Sequence, residues 1–414
     1  MAGITGFTEA MQKVAAAASV LPRRSEDVPL RAAVGRILAD NLLAGHNIQP
    51  FDNAAMDGYA VRAGDILDAT SERAVSLPIG DNLPAGMDAS GEGLSSGSCR
   101  RIMTGAPIPA GCDAIVPFEE ASEREGRAFF TAAARVGAHI RRAGEDFRKG
   151  MPVLGAGGRI TPSAILPLAA LGTNKVTVYE RPKVAVITTG LELVDDLSCA
   201  LPKGKIYNAN APYMEAVLPE LGAVCCRSLS VGDDAPAFCA KLSQILEMDA
   251  PDIVVSSGAV SAGSYDFVRG ALESLGAEVL FHKVLMRPGK PNLFARLPNG
   301  ALYFGLPGNP AATAVGLRFF VGQALRILSG LPPEAPQKMP AANTFGKKAG
   351  FRMFLKAKVE ADSAGHSRAA ILPGQESFMV NPFLAMNAWV SMPEEAENIR
   401  EGDLVDVYPV LPAA

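Results

Sequence analysis

Residues 175–190, KVTVYERPKVAVITTG, decide the fold class, because they open a series in which strand and helix patterns alternate. Strand candidates are Val184 to Thr188, Val224 to Leu229, Ile253 to Ser256 and Ala277 to Phe281. Between them lie helical runs at Pro212 to Leu221, Ala235 to Glu247 and Phe267 to Leu275. That alternation predicts a mostly parallel sheet with helices on both faces, and in such sheets ligands sit at the carboxyl ends of strands. The loops after VAVITT, DIVVSS and LYFGLP are therefore expected to line one crevice.

The series runs into residues 281–313, FHKVLMRPGKPNLFARLPNGALYFGLPGNPAAT. Two short strands are expected here, Asn292 to Arg296 and Ala301 to Gly305, joined across an Asn-Gly turn. The loop KVLMRPGKP offers Lys283, Arg287 and Lys290. The second loop, GLPGNP, leads into the apolar helical run that starts at Ala311, with Asn309 as N-cap and Pro310 as first helical residue. An open helix N-terminus beside three cations suits an anion site. An ordinary strand-loop-helix connection with surface cations would read the same way.

Upstream, residues 8–20 suit a short amphipathic helix started by Thr8 and stopped before Pro22. EDVPLRAAVGRILADNLLA reads as a second helix, with Leu30, Ala33, Ile37, Leu38 and Leu42 on one face. From Ile48 to about Arg142 the texture turns to dense Gly, Pro and Ser with three- to five-residue apolar runs, a small β-rich domain that looks inserted. KGMPVLGAGGRITPSAILPLAALG returns to helical character. After the Pro-rich linker SGLPPEAPQ, residues 338–414 show short strands that suit a small β-barrel or sandwich.

A chain of 414 residues, 48% hydrophobic and 20% charged, has the composition of an ordinary multidomain globular protein. The net charge of -4 gives no global reason to expect nucleic acid or a membrane surface as partner, so any anion must be bound locally. Cysteines 99, 112, 199, 225, 226 and 239 show no C-x-x-C spacing, and histidines 46, 139, 282 and 366 stand far apart. Neither a zinc site nor a disulfide framework is signalled, and reduced thiols in a cytoplasm fit best. No apolar run is expected to reach the length of a membrane span, and the N-terminus lacks a signal-peptide layout.

Chemistry-bearing residues fall in loops. In DIVVSSGAVSAGSYDF, Gly258 and Gly263 let backbone N–H groups approach a phosphate or pterin ring, Ser256, Ser257, Ser261 and Ser264 supply hydroxyls, and Asp266 is either a magnesium ligand or a helix N-cap. VAVITTGLELV repeats the device, with Thr188 and Thr189 at a strand end and Glu192 as metal ligand, acid/base group or solvated first-turn glutamate. In the β-rich domain, Asp52, Asp57, Thr104, Glu119 and Glu120 suit oxygen-ligand magnesium chemistry or plain turn chemistry. IRRAGEDFRKG adds Arg141, Arg142, Glu145 and Asp146. No serine, cysteine or histidine hydrolase constellation is visible.

Taken in order, NAAMDGYAV, MTGAPIPAGCDAIVPFEE, RRAGEDFRKG, VAVITTGLEL, GKIYNANAPYM, DIVVSSGAVSAGSYDF, RPGKP and GLPGNPAAT closely resemble the molybdopterin molybdenumtransferases, the MoeA family with the gephyrin E domain. The resemblance spans nearly the whole chain. It implies an α/β multidomain protein of four domains, discontinuous in sequence. These are an α/β molybdopterin-binding domain (1–26 and 177–330), a helical linking domain (27–47 and 147–176), an inserted β-rich domain (48–146) and a C-terminal β-barrel (331–414). It further implies a homodimer whose active sites are shared between subunits, and magnesium-dependent insertion of molybdate into adenylylated molybdopterin with release of AMP. A molybdopterin adenylyltransferase and recipient molybdoenzymes would be its partners.

Carried over by motif, the catalytic candidates are Asp57, Thr104, Asp146, Glu192 and Asp266, with Glu192, Asp266 and Asp57 as metal ligands. Lys283, Arg287, Lys290, Ser257, Gly258, Ser261, Pro307, Gly308, Asn309 and Pro310 would bind substrate, joined by Arg352 and Ser377 from the last domain. The chain departs from the family pattern at Ala54, Leu191, Ala209, Ala259, Ala262 and Arg287, and Leu191 and Ala209 each remove a polar group near the expected pocket. Two other readings stay open: a noncatalytic molybdopterin or cofactor carrier or scaffold, and a molybdopterin adenylyltransferase.

Overall fold

The computed structural model describes residues 4–87, 93–259, 267–361 and 365–412. Its centre is a six-stranded sheet in the order Val224–Val231, Lys183–Thr189, Ile253–Ser257, Leu302–Leu306, Leu293–Arg296, Glu278–His282. The first four strands are parallel and the last two antiparallel, so the sheet is mixed with a parallel majority. The period-2 geometry of a strand buried on both faces explains why VAVI is apolar throughout. Val184 and Val186 enter a core with helices Phe7–Ser19 and Asn210–Glu220, whereas Ala185 and Ile187 enter a second core with helices Ala235–Met248 and Val268–Ser274. Strands 293–296 and 302–306 form the expected hairpin, closed by the Leu297 N–H on the Ala301 carbonyl at 2.9 Å, with Gly300 at φ +91°.

Pro310 to Leu328 forms one continuous helical rod with a π-helical turn at Leu317–Val321. An 18-residue window of this 19-residue rod has a mean hydropathy of 1.3, which corrects the expectation that no apolar run reaches spanning length. The physical reason for its composition is burial: 83% of the window lies inside the protein, between the central sheet and helix 7–19. Gly316 permits the close approach, since a Cβ there would meet Leu306 Cδ2 at 2.7 Å and Asn292 Oδ1 at 2.8 Å.

The helix expected from residue 26 to residue 44 does not form. Ser25–Pro29 is a strand paired antiparallel with Lys175–Tyr179, followed by a single 3-10 turn at Leu30–Ala32 and by Gly35 at φ +80°. Leu30, Ala33 and Leu38 of the pattern are still buried, with Leu42 partly so, but in a small mixed core with Ile160, Leu168, Val176 and Val178, so spacing reported burial and misreported geometry. Downstream, only Pro162–Ala170 of the second expected helical stretch is helical, and Pro152–Leu154 pairs with Leu42–Leu43. The segment between the two halves is thus a small β structure carrying one short helix. The first helix is Phe7–Ser19, with Gly6 rather than Thr8 at its N-cap.

The inserted module is a six-stranded sheet in the order 114–117, 58–61, 99–102, 75–83, 127–130, 121–124. The C-terminal sheet orders Met286–Arg287, Arg352–Ala361, Ala388–Met392, Leu404–Pro409 and Gln337–Pro340, with Ser367–Ile371 paired to Arg352–Ala361. Its first strand comes from the central module, which ties the two together.

Candidate active site at the strand ends

Three loops meet where the parallel strands end, as expected. They enclose a cavity of about 650 Å³ lined by Thr189, Gly190, Glu192, Asn208, Asn210, Asp233, Ser257, Gly258, Pro307, Gly308, Asn309, Pro310 and Phe378, among others. Hydrogen bonds hold the loops in register. Asn210 Nδ2 donates to Ser257 Oγ and to the Gly308 carbonyl, each at 2.8 Å, and Thr313 Oγ1 donates to the Pro307 carbonyl at 2.6 Å. Asn208 Nδ2 donates to Thr188 Oγ1 and Asp195 Oδ1, each at 2.8 Å, fixing the far wall. The glycines permit contact between backbones: Gly258, at φ +106°, would place a Cβ 2.4 Å from the Thr189 carbonyl oxygen.

Two features of the cavity bear on ligand binding. The Thr189 hydroxyl is buried without a hydrogen-bond partner among the described residues, on a residue only 4% exposed. Glu192 sits over Gly190, where a Cβ would lie 2.9 Å from both carboxylate oxygens. Asp233 adds a second carboxylate from the end of strand 224–231 and accepts the Leu191 N–H at 3.2 Å. Among the described residues no group of three His, Cys, Asp or Glu side chains is placed to hold a metal. Glu192 and Asp233 supply two carboxylates to the cavity lining, the hard oxygen donors that a cation such as magnesium takes together with water and phosphate.

The other candidates divide. Ser257, Gly258, Pro307, Gly308, Asn309 and Pro310 line the cavity, and Ser377 reaches it through Asn309, whose Nδ2 donates to Ser377 Oγ at 3.0 Å. Asn309 precedes the helix as expected, but its side chain makes this bond instead of capping the helix. Ser261 and Asp266 lie outside the described residues. Lys283, Arg287 and Lys290 do not line the cavity. Met286–Arg287 pairs with the C-terminal sheet, and the Arg287 guanidinium lies 4.5 Å from the centre of the Phe351 ring, so backbone pairing draws this loop sideways. Arg352 likewise pairs with Glu394 at 2.9 Å and stacks over Phe7, away from the cavity.

Asp57 and Thr104 are brought together in the inserted module. The Thr104 N–H and hydroxyl both donate to Asp57 Oδ1 at 2.7 Å, and these bonds, the backbone one first, hold the Asp57 carboxyl below its ordinary pKa of 3.8. Asp146 is exposed in the following turn, and none of these three lines the cavity of its own chain.

Asn208 and Asn210, within the motif GKIYNANAPYM, and Asp233, Phe378 and Lys356 join the site without being singled out by sequence. Lys356 is 1% exposed and gives its ammonium to the carbonyls of Gly374, Glu376 and Met379 at 2.7, 3.1 and 3.0 Å, shaping the loop that presents Ser377 and Phe378. A lysine inside the apolar strand run RMFLKAKVEA was the available signal.

Three family models match in sequence order: the MoeA N-terminal region (domain I and II) over residues 5–172, a probable molybdopterin binding domain over 185–327, and the MoeA C-terminal region (domain IV) over 338–410. The chain is 33% identical over 405 residues to the molybdopterin molybdenumtransferase of Synechococcus elongatus, covering 98% of this chain and 99% of that one. It is 34% identical to the Bacillus subtilis protein of the same name, covering 92% and 89%. A solved molybdopterin biosynthesis MoeA protein from Pyrococcus horikosii superposes with a TM-score of 0.84 at 29% identity, covering 99% of this chain and 100% of that one. Matched by family models along nearly its whole length and by relatives of 33–34% identity, the chain belongs to the MoeA family of molybdopterin molybdenumtransferases.

Proposed function

We propose that this chain is a cytoplasmic molybdopterin molybdenumtransferase that inserts molybdate into adenylylated molybdopterin, with magnesium, and releases AMP. The observation that carries the reading is the cavity itself, where two carboxylates, an unpartnered buried hydroxyl and close-approach glycines meet at the carboxyl ends of parallel strands. Glycine-rich backbone can approach the phosphates without side-chain interference, and Asn210 fixes two of the loops that receive them. Glu192 and Asp233 would hold magnesium, which when bound neutralises phosphate charge and assists departure of AMP. Thr189 would donate its hydroxyl to the ligand, and Ser377 with Phe378 would close the cavity from the C-terminal sheet.

The reading includes a homodimer with shared sites. Asp57 and Thr104 form a preorganised acidic loop that does not line the strand-end cavity of its own chain, and a second subunit would present this loop to the partner's cavity. Lys283, Arg287 and Lys290, exposed or half-buried beside the Pro291 wall, would attract the molybdate dianion at the entrance. The AMP-releasing enzyme, a carrier and an adenylyltransferase separate in one incubation of the purified protein with adenylylated molybdopterin. The enzyme consumes it when molybdate and magnesium are added. A carrier would return it unchanged, and an adenylyltransferase would instead make it from molybdopterin and ATP.

A further inference from the structure

Tyr207 and Phe378 are the only aromatic residues among the described residues that line the cavity. Both are left open, Tyr207 at 38% and Phe378 at 64% exposure, and neither makes a ring contact with another described residue. They come from different modules, one beside the central sheet and one from the C-terminal segment, and both are held by their own surroundings. Tyr207 lies in the two-residue strand Ile206–Tyr207, paired parallel with Leu193–Val194, and its phenol donates to the Cys199 carbonyl at 2.7 Å. The turn that carries Cys199 is pinned in its turn by Asp196, whose carboxyl is pulled down to about 2 by bonds from the Cys199 thiol and from Ser198. Phe378 follows Ser377, whose carbonyl accepts the Ala311 N–H at 3.0 Å, and sits in the loop gathered around the Lys356 ammonium.

The cavity thus combines polar groups, at Thr189, Glu192 and Asp233, with two open aromatic rings. We propose that Tyr207 and Phe378 form a stacking platform for a flat nitrogen heteroaromatic ring of the ligand, leaving the polar part of the lining to its phosphates. The inference rests on the reading of this cavity as the ligand site. Aromatic side chains held by their own backbone lose little freedom when a ring settles on them, and the heteroaromatic face gains dispersion and quadrupole contact. A purine and a pterin share this chemistry, and the platform takes whichever ring reaches it.

Calorimetric titration of the full-length protein tests the platform, with AMP, pterin-6-carboxylate and inorganic pyrophosphate as probes. For Phe378→Ala and Tyr207→Ala the affinity of the ring that stacks falls about tenfold, as loss of one aromatic stacking partner dictates, while Phe378→Trp retains it. Pyrophosphate, which has no ring, binds both alanine variants as it binds the wild type. The probe that weakens, AMP or the pterin, identifies the ring. Equal affinity of both ring probes for wild type and both alanine variants overturns the platform, as does an equal loss for pyrophosphate. A wild-type protein that binds none of the three probes overturns the reading of the cavity instead.

Discussion

Gly258→Ala tests how tightly the strand-end loops are packed. At φ +106° the residue occupies backbone space that L side chains rarely enter, and the added Cβ would sit 2.4 Å from the Thr189 carbonyl oxygen and 2.6 Å from its hydroxyl. Conformational strain contributes about 1–2 kcal/mol. Overpacking against a backbone that must retreat by about 1 Å adds roughly 1–3 kcal/mol. The sum, about 2–5 kcal/mol, corresponds to a drop in melting temperature of roughly 5–15 °C for a unit of this size. The retreat also separates Gly258 from Gly308, whose Cβ position lies only 3.6 Å from the Gly258 Cα. Thermal unfolding followed by circular dichroism and calorimetry with AMP are expected to show a lower transition together with weakened binding. Gly270→Ala is the control: nothing lies within 4 Å of that Cβ position and the residue sits in helix 268–274, so this variant is neutral or stabilised by up to about 1 kcal/mol. Equal melting temperatures and AMP affinities for Gly258→Ala and wild type would refute the packing argument.

Thr104→Ala removes one of the two donors on Asp57, so the Asp57 carboxyl, followed by carbon-13 NMR, is expected to titrate closer to its ordinary value of 3.8. Because its folded pKa is depressed, the stability it contributes is fully present above the unfolded value and is lost as pH falls through the folded one; an unmoved titration would contradict the assignment. Lys356→Met strands three part-buried carbonyls, and denaturant unfolding is expected to show a loss of about 3 kcal/mol with weaker AMP binding. Unchanged stability would mean that the loop does not depend on the ammonium. Glu192→Gln touches an exposed carboxylate, so the melting temperature stays within about 1 °C while turnover falls at least about 100-fold. Asp57→Ala is expected to abolish turnover with the fold intact, and full activity in both variants would show that the acidic residues were wrongly assigned.

The central sheet was legible because a strand buried on both faces reads as an unbroken apolar run, and its ends could be placed from Thr188-Thr189-Gly190 and Ser256-Ser257-Gly258. Pro310 marked the start of the long helix for the same local reason. Residues 27–44 misled, since Leu30, Ala33 and Leu38 have helical spacing yet pack in a turn-rich core whose shape depends on Val176 and Val178, far away in sequence. The basic loop was correctly read as a loop, but its direction depends on pairing with Arg352 and Met353, which no local pattern announces. Asp233 and Phe378 join the cavity only through tertiary contacts, and Lys356 acts through backbone carbonyls that lack a side-chain signature. Asn208 and Asn210 stand in the motif GKIYNANAPYM, but that their amides bridge strand ends follows only from the tertiary fold.

The most direct test of the account is AMP release, followed by chromatography, from purified protein incubated with adenylylated molybdopterin and magnesium. Release that rises with added molybdate in the wild type and is lost in Glu192→Gln is the predicted result. Release at the same rate without molybdate, or undiminished in Glu192→Gln, would contradict it.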